Sequence, residues 1–208
     1  LLIPEMAQCN AAGSSKRIRH LTERSLLLAL LYGCLCGGVL FLSADSLCSR
    51  LFNTPEVAPH LRRFALLAPM LYSDAIVDAM TKGLGQQKIC VRYNILTSAM
   101  DVALLFILLP SYGMNGYFIS FFVTHLINFL LSIRLLFKLT GKTIHLYTVA
   151  YSFIAVLCGI WVGFLLPKKL QVLGFIFFFT AVLTLLRVVK QEDFRWIVGL
   201  MHIKRKTG

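Results

Sequence analysis

Apolar runs of about 20 residues, separated by short polar gaps, make up most of this chain. An α-helix needs roughly 20 apolar residues to cross a hydrocarbon core of about 30 Å. The gaps hold turn-forming residues, as in the segment 111–116, which follows Pro110. The pattern predicts an all-α integral membrane protein with about six transmembrane helices, at 26–48, 61–80, 93–109, 117–137, 144–166 and 170–189.

The segments outside these runs are basic. We expect residues 1–8 to be the end of a preceding helix. Residues 13–24 are expected to form a helix at the membrane surface, capped by Ser14 or Ser15, with Ile18 and Leu21 on the side away from the basic residues. The chain then divides into four parts: the preceding helix end and a basic cytoplasmic segment at 1–25, a four-helix lobe at 26–140, two additional helices at 141–190, and a basic cytoplasmic tail at 191–208.

Composition and charge exclude a soluble domain and argue against a nucleic-acid partner. Hydrophobic residues make up 58% of the 208 residues and charged residues only 14%, whereas a typical soluble domain has about 25% charged residues. The net charge is +12, but the basic residues lie in the gaps. If alternate gaps share a side, one side holds every Lys and Arg except Arg50, Arg62, Arg63, Lys168 and Lys169. Such an excess marks cytoplasmic loops, so both chain ends are predicted to be cytoplasmic.

Two aspartates share one face of the second predicted helix. A charge at the centre of a bilayer costs about 2.5 kcal/mol or more, so each such group requires a reason. Asp74 and Asp78 are four residues apart, which places both carboxylates on one side of a helix. Because like charges repel, we expect one to be protonated or both to share a cation. This face is predicted to be either a proton or ion site or the polar wall of a water-filled transport cavity. For Asp78 the structural alternative is an ion pair with Lys82, one turn further on.

A second polar group lies on the third and fourth predicted helices. Asn94, Ser98 and Asp101 follow one another at helical spacing, so three oxygen-bearing side chains share one face. These are the predicted ligands of a monovalent cation such as sodium. A hydrogen bond between helices is the structural alternative for Asp101. His125 and Asn128 are further candidates for the transport cavity, with a packing role as the alternative for His125.

The chain contains no motif of a known catalytic or cofactor site. It has no nucleophile elbow, no phosphate-binding loop of the Walker type and no Cys or His pair at metal spacing. The segment Gly83–Gly85 is too short to hold a phosphate. The six cysteines are expected to act as small apolar residues. We therefore expect neither an enzyme nor a bound cofactor, and we expect Na⁺ or H⁺ as a coupling ion.

Four short motifs occur in this order along the chain: LIPEMA at 2–7, LGQQK at 84–88, YNI at 93–95 and LLPSYGMNGY at 108–117. Together they resemble motifs of the multidrug/oligosaccharidyl-lipid/polysaccharide exporter superfamily. Within it, the stage V sporulation protein B-like flippases of Gram-positive bacteria are the most similar branch. The resemblance covers about residues 1–140.

This resemblance implies a multidrug-and-toxin-extrusion (MATE)-like fold of about fourteen helices in two lobes, of which this chain is the second lobe. In related flippases a sodium site uses the eleventh helix, on which Asn94 and Asp101 would lie. The chain starts at Leu1 without an initiator methionine. We therefore expect it to be part of a longer protein, with its N-terminal lobe missing here.

The implied function is transport of a lipid-linked oligosaccharide, polysaccharide or peptidoglycan precursor across the bacterial cytoplasmic membrane by alternating access. The expected partners are membrane lipids, an undecaprenyl-pyrophosphate-linked glycan and the missing lobe. One alternative is multidrug or cation efflux coupled to H⁺ or Na⁺. The other is a non-transporting membrane scaffold or an enzyme of cell-envelope assembly.

Overall fold

The computed structural model describes residues 2–51, 53–141, 146–168 and 170–185. Within these ranges every element is a helix, which confirms the all-α prediction. The elements are α1 (Leu2–Ala11), α2 (Ser15–Leu51), a 3₁₀ turn (Pro55–Val57), α3 (Ala58–Ala65), α4 (Ala68–Gly83), α5 (Gln87–Tyr112), α6 (Met114–Thr140), α7 (Leu146–Leu165) and α8 (Gln171–Leu185). The chain divides into two compact units, Leu1–Ile144 and His145–Gly208. The predicted tail at 191–208 and the end of the last predicted span lie outside the described residues.

Three helices, α2, α5 and α6, are long and apolar enough to cross a membrane. The segments Pro55–Ala65 and Ala68–Gly83 are bent by 49° relative to each other. Together they are long and apolar enough to add a fourth span, if the bent pair is counted as one. The other apolar stretches within the described residues, Val149–Leu165 and Gln171–Leu185, are shorter. These apolar helices indicate a membrane protein.

Helix α2 is longer than the first predicted span. It has 37 residues, a length of about 55 Å at 1.5 Å per residue. A separate surface helix at 13–24 is therefore a wrong prediction, because the basic segment and the apolar run form one helix. No Pro or Gly stands between Ser15 and Tyr32 to interrupt it. Ile18 and Leu21 are buried in the protein.

The second predicted span is broken into two helices. Helix α3 ends at Ala65 and α4 begins at Ala68. Pro69 has no backbone N–H, so the carbonyl of Ala65 finds no donor four residues further on and the helix is interrupted. The prediction of one continuous helix over 61–80 is therefore wrong.

Two glycines of α2 lie against this break. A Cβ atom at Gly33 would lie 2.6 Å from the Cα of Pro69, and one at Gly37 would lie 2.6 Å from the carbonyl oxygen of Ala65. Their spacing of four residues places both on one face of α2. The two backbones therefore approach as closely as in the small-xxx-small contacts of membrane helices.

Helices α5 and α6 form an antiparallel hairpin. Gly113 alone connects them, with φ of 55° and ψ of −134°, a conformation that glycine adopts readily. A Cβ at Gly116 would lie 2.2 Å from the carbonyl oxygen of Leu108, so this glycine lets the two helices touch. The predicted six-residue turn, and the predicted helix end at Pro110, are wrong. A proline in the last turn removes only one backbone hydrogen bond, and α5 continues past it.

Within the described residues, the second unit consists of α7 packed on α8. Phe175 and Phe179 of α8 are buried, with ring centroids 5.6 Å apart. Gly159 of α7 leaves room for them, because a Cβ there would lie 2.9 Å from a ring carbon of Phe175. Large side chains of one helix thus fill the space left by a small residue of the other.

Replacing Gly33 or Gly37 with alanine is expected to destabilise the first unit. In an isolated helix this change gains about 1 kcal/mol. Here the new methyl group would overlap backbone atoms, which cannot rotate away, at a cost of about 1–3 kcal/mol. We expect a lower midpoint of thermal unfolding in detergent for each variant. Cys36→Ala, on the same helix, is the matched control and should change the midpoint less; alanine variants as stable as the native chain would contradict this packing.

Candidate functional site

Helix α6 carries small and polar residues at every fourth position. They are Gly116, Ser120, Thr124, Asn128 and Ser132, which we call the polar stripe. Four residues turn an α-helix by about 400°, so each member is offset by about 40° from the one before. The stripe therefore winds slowly around α6, and different members contact different neighbouring helices.

Two hydroxyl groups of the polar stripe contact Asp101 on α5. The Ser120 hydroxyl donates to Oδ1 of Asp101 at 2.6 Å, and the Thr124 hydroxyl lies 3.2 Å from the same oxygen. The Thr124 hydroxyl also lies 2.9 Å from the carbonyl oxygen of Ser120 and 3.2 Å from that of Phe121, so three acceptors compete for its one proton. Both hydroxyl residues are buried. The interhelical hydrogen bond given above as the alternative for Asp101 is therefore present.

The other two predicted cation ligands lie apart from this contact. Asn94 and Ser98 are on α5, two turns and one turn before Asp101, and both are exposed. Neither side chain makes a hydrogen bond to another described residue. The oxygens gathered around Asp101 come from α6 instead, and a cation site at Asn94, Ser98 and Asp101 remains a prediction.

The next member of the polar stripe contacts Asp74 on α4. Nδ2 of Asn128 donates to Oδ2 of Asp74 at 3.1 Å, across 54 positions of sequence. The second oxygen of each side chain, Oδ1 of Asp74 and Oδ1 of Asn128, is buried and has no hydrogen-bond partner among the described residues. The structure thus brings two of the predicted cavity residues into direct contact.

The remaining cavity candidates have local partners. The ammonium group of Lys82 lies 2.5 Å from a carboxylate oxygen of Asp78, which is the ion pair given above as the alternative. Nδ1 of His125 lies 2.9 Å from the carbonyl oxygen of Phe121, and the two rings stack with centroids 3.9 Å apart. Asp78 therefore has its own counter-ion, and His125 packs along α6.

Two arginines of α3 help to hold the broken span against its neighbours. Nη2 of Arg62 lies 2.5 Å from Oδ2 of Asp45 on α2. Arg63 donates a hydrogen bond to the side-chain oxygen of Asn115 at the start of α6. Phe64 adds ring contacts to α6. Because α4 follows directly, these contacts help to fix the position of Asp74 beside Asn128.

Ser120 and Thr124 were not among the site residues predicted from the sequence. The signal that would have identified them is the four-residue spacing from Gly116 to Ser132 in an otherwise apolar run. Spacing alone does not say which neighbouring helix each member meets, and that depends on the packing of α4 and α5 around α6.

Among the described residues, no group of three or more His, Cys, Asp or Glu side chains is arranged to hold a metal ion. Comparison with protein-family models, curated proteins and solved structures finds no match to this chain. The candidate site is therefore defined by its own geometry. It consists of two carboxylates, Asp74 and Asp101, each hydrogen-bonded by the polar stripe within a bundle of apolar helices.

Ser120→Ala is expected to lower the stability of the α5–α6 hairpin. The substitution removes the shorter of the two hydroxyl contacts to Asp101, and such interhelical hydrogen bonds contribute about 0.6 kcal/mol on average and up to about 1.7 kcal/mol. The measurement is unfolding in mixed detergent micelles, monitored by circular dichroism. Ser98→Ala is the matched control, because Ser98 is exposed and makes no such bond. Equal stabilities of the two variants would show that the Ser120 contact is energetically neutral.

Proposed function

We propose that this chain belongs to a transporter that moves a lipid-linked oligosaccharide, polysaccharide or peptidoglycan precursor across the bacterial cytoplasmic membrane by alternating access. The observation that carries the proposal is the pair of carboxylates, Asp74 and Asp101, inside a bundle of apolar helices. Ionisable groups in such helices are costly, and they characteristically lie on ion or substrate pathways. A purely structural bundle would avoid this cost with apolar residues at both positions.

The broken span supports the same proposal. Secondary transporters build substrate and ion sites from discontinuous helices, whose unpaired backbone groups serve as ligands. In this chain the break lies between Ala65 and Ala68, and Asp74 follows it on α4. Gly33 and Gly37 let the backbone of α2 pack directly against this break.

In the proposed transporter this chain forms the second lobe of a MATE-like flippase, with six spans and with both basic ends in the cytoplasm. The N-terminal lobe of the same protein would complete the cavity around an undecaprenyl-pyrophosphate-linked glycan. Helix α5 supports this arrangement, because only 6% of its most apolar stretch is buried within the described chain. Its exposed side chains, such as Phe106 and Ile107, are available to lipid or to another lobe.

Asp101 is the proposed coupling carboxylate. One carboxylate beside two hydroxyl oxygens is a set of hard oxygen ligands, the type that alkali cations accept. A cation moved across the membrane potential supplies about 2.3 kcal/mol per charge per 100 mV. The same carboxylate could instead carry a proton, so the identity of the ion is an outcome of the test below.

Efflux of cationic drugs is the second candidate function. It is favoured by Oδ1 of Asp74, which is buried and has no hydrogen-bond partner among the described residues, since a carboxylate within apolar helices attracts an organic cation. A scaffold or an enzyme of envelope assembly would require neither ion coupling nor a moving substrate. One reconstitution experiment distinguishes these three functions.

The experiment uses the protein as its gene encodes it, reconstituted in vesicles with a fluorescent undecaprenyl-pyrophosphate disaccharide, and in parallel with a cationic dye. We expect movement of the lipid that requires a Na⁺ or H⁺ gradient. Asp101→Asn keeps a hydrogen-bond acceptor for Ser120 but removes the charge, so gradient-dependent flipping should fall at least about tenfold, equivalent to about 1.4 kcal/mol in the barrier.

Glu56→Gln is the control, because it also removes one negative charge but at an exposed position in the 3₁₀ turn, away from the polar stripe, and it should leave flipping within about twofold of the native rate, equivalent to less than about 0.5 kcal/mol in the barrier. Movement of the dye but not the lipid would replace the proposal by drug efflux. If neither molecule moves, both transport functions are contradicted, and the scaffold or enzyme function is favoured.

A further inference from the structure

The contact between Asp74 and Asn128 leaves a specific pattern of unmet hydrogen bonds. One bond joins the pair, from Nδ2 of Asn128 to Oδ2 of Asp74. The two remaining oxygens, one on each side chain, are buried and unpartnered within the described part of the chain. Both are acceptors when Asp74 is ionised, so neither can satisfy the other.

A single proton on Asp74 would give both of these oxygens a hydrogen bond. If Oδ1 of Asp74 carries a hydrogen, it becomes a donor and can bond to Oδ1 of Asn128. The carboxylic acid and the amide then form a ring of two hydrogen bonds, each group donating one and accepting one. Leaving a buried polar atom without a partner costs about 1–3 kcal/mol, and here two such atoms are satisfied together.

We propose that Asp74 and Asn128 form a proton-binding site, in which Asp74 is a neutral carboxylic acid at neutral pH and Asn128 is its hydrogen-bond partner. The ligand of this site is a proton, which occupies Oδ1 of Asp74. The proposal concerns only this binding event and does not depend on whether the chain transports a lipid.

Two titratable groups act on Asp74. Asp78, one turn further along α4, repels a second negative charge, whereas His125 on α6 attracts one when it carries a positive charge. The charge of Asp78 is offset by its ion pair with Lys82. Helices α1, α2 and α5 also pack against α4, and within the described residues none of them brings a charged group to Asp74.

His125 makes a local contact within α6. Its Nδ1 lies 2.9 Å from the carbonyl oxygen of Phe121. The hydrogen-bond partner that directly contacts Asp74 is the neutral amide of Asn128.

Infrared difference spectroscopy of the full chain in lipid nanodiscs tests the proposal. At pH 7 we expect the native spectrum to contain a carboxylic acid carbonyl band that Asp74→Asn removes, with a loss equal to one carboxyl group. The matched variants Asp78→Asn and Asp101→Asn should retain this band. Asn128→Leu should shift it to higher frequency, because the Asp74 carbonyl then loses its hydrogen bond.

Thermal unfolding provides a second readout. Asp74→Asn reproduces the neutral acid–amide pair with two amides, so it should unfold at or above the native temperature at pH 7, whereas Asp74→Ala should unfold at a lower temperature. The folded native chain binds one more proton than the unfolded chain at neutral pH, so its stability should fall as pH rises, and Asp74→Asn should remove that dependence.

Two results would overturn the proposal. The first is a native spectrum at pH 7 without any carboxylic acid band that Asp74→Asn removes. The second is loss of that band when NaCl replaces choline chloride at constant pH, since Na⁺ rather than a proton would then be the preferred ligand. Neither readout involves substrate movement, so failure here is distinguishable from failure in the flipping experiment.

Discussion

Polar groups inside a bundle of apolar helices must find their hydrogen-bond partners within the protein, and in this chain α6 supplies them. Its polar stripe places Ser120 and Thr124 against Asp101, and Asn128 against Asp74. The offset of about 40° per step lets one helix serve two neighbours, because the stripe faces α5 first and α4 next. The relative positions of α4, α5 and α6 are therefore tied to the same set of side chains that forms the candidate site.

The backbone contacts of α2 and α3 make that arrangement possible. Gly33 and Gly37 bring α2 close to the break before α4, where a larger residue would not fit. Arg62 and Arg63 attach α3 to α2 and to the start of α6. The broken span is thus fixed at one end and tightly packed at its bend, while Asp74 extends beyond the bend towards α6.

The sequence was sufficient to predict the helical class and the main apolar segments, because a run of about 20 apolar residues leaves few alternatives. The break at 66–67 was missed because proline is tolerated in membrane helices when neighbours satisfy the freed backbone groups. The connection between α5 and α6 was predicted too long, since the residues around Gly113 suit both a turn and a helix end.

For the site, the intramembrane carboxylates could be identified from residue type alone, but their partners could not. Asn128 lies 54 positions from Asp74, and only the packing of α4 on α6 brings them together. Asn94 and Ser98 illustrate the reverse case: they share a helix with Asp101, yet its hydrogen-bond partners come from the next helix. Spacing along one helix identifies a face, whereas the identity of the facing helix depends on the fold.

The single-residue connection at Gly113 also has a consequence for biosynthesis. Helices joined so tightly are suited to entering the bilayer as a hairpin rather than one after the other. Asp101 and Ser120 are only 19 positions apart, so the hydroxyl that covers the carboxylate is synthesised soon after it. A hairpin that enters as one unit would bring Ser120 to Asp101 at the moment of insertion, and would thereby offset part of the cost of placing that carboxylate in lipid.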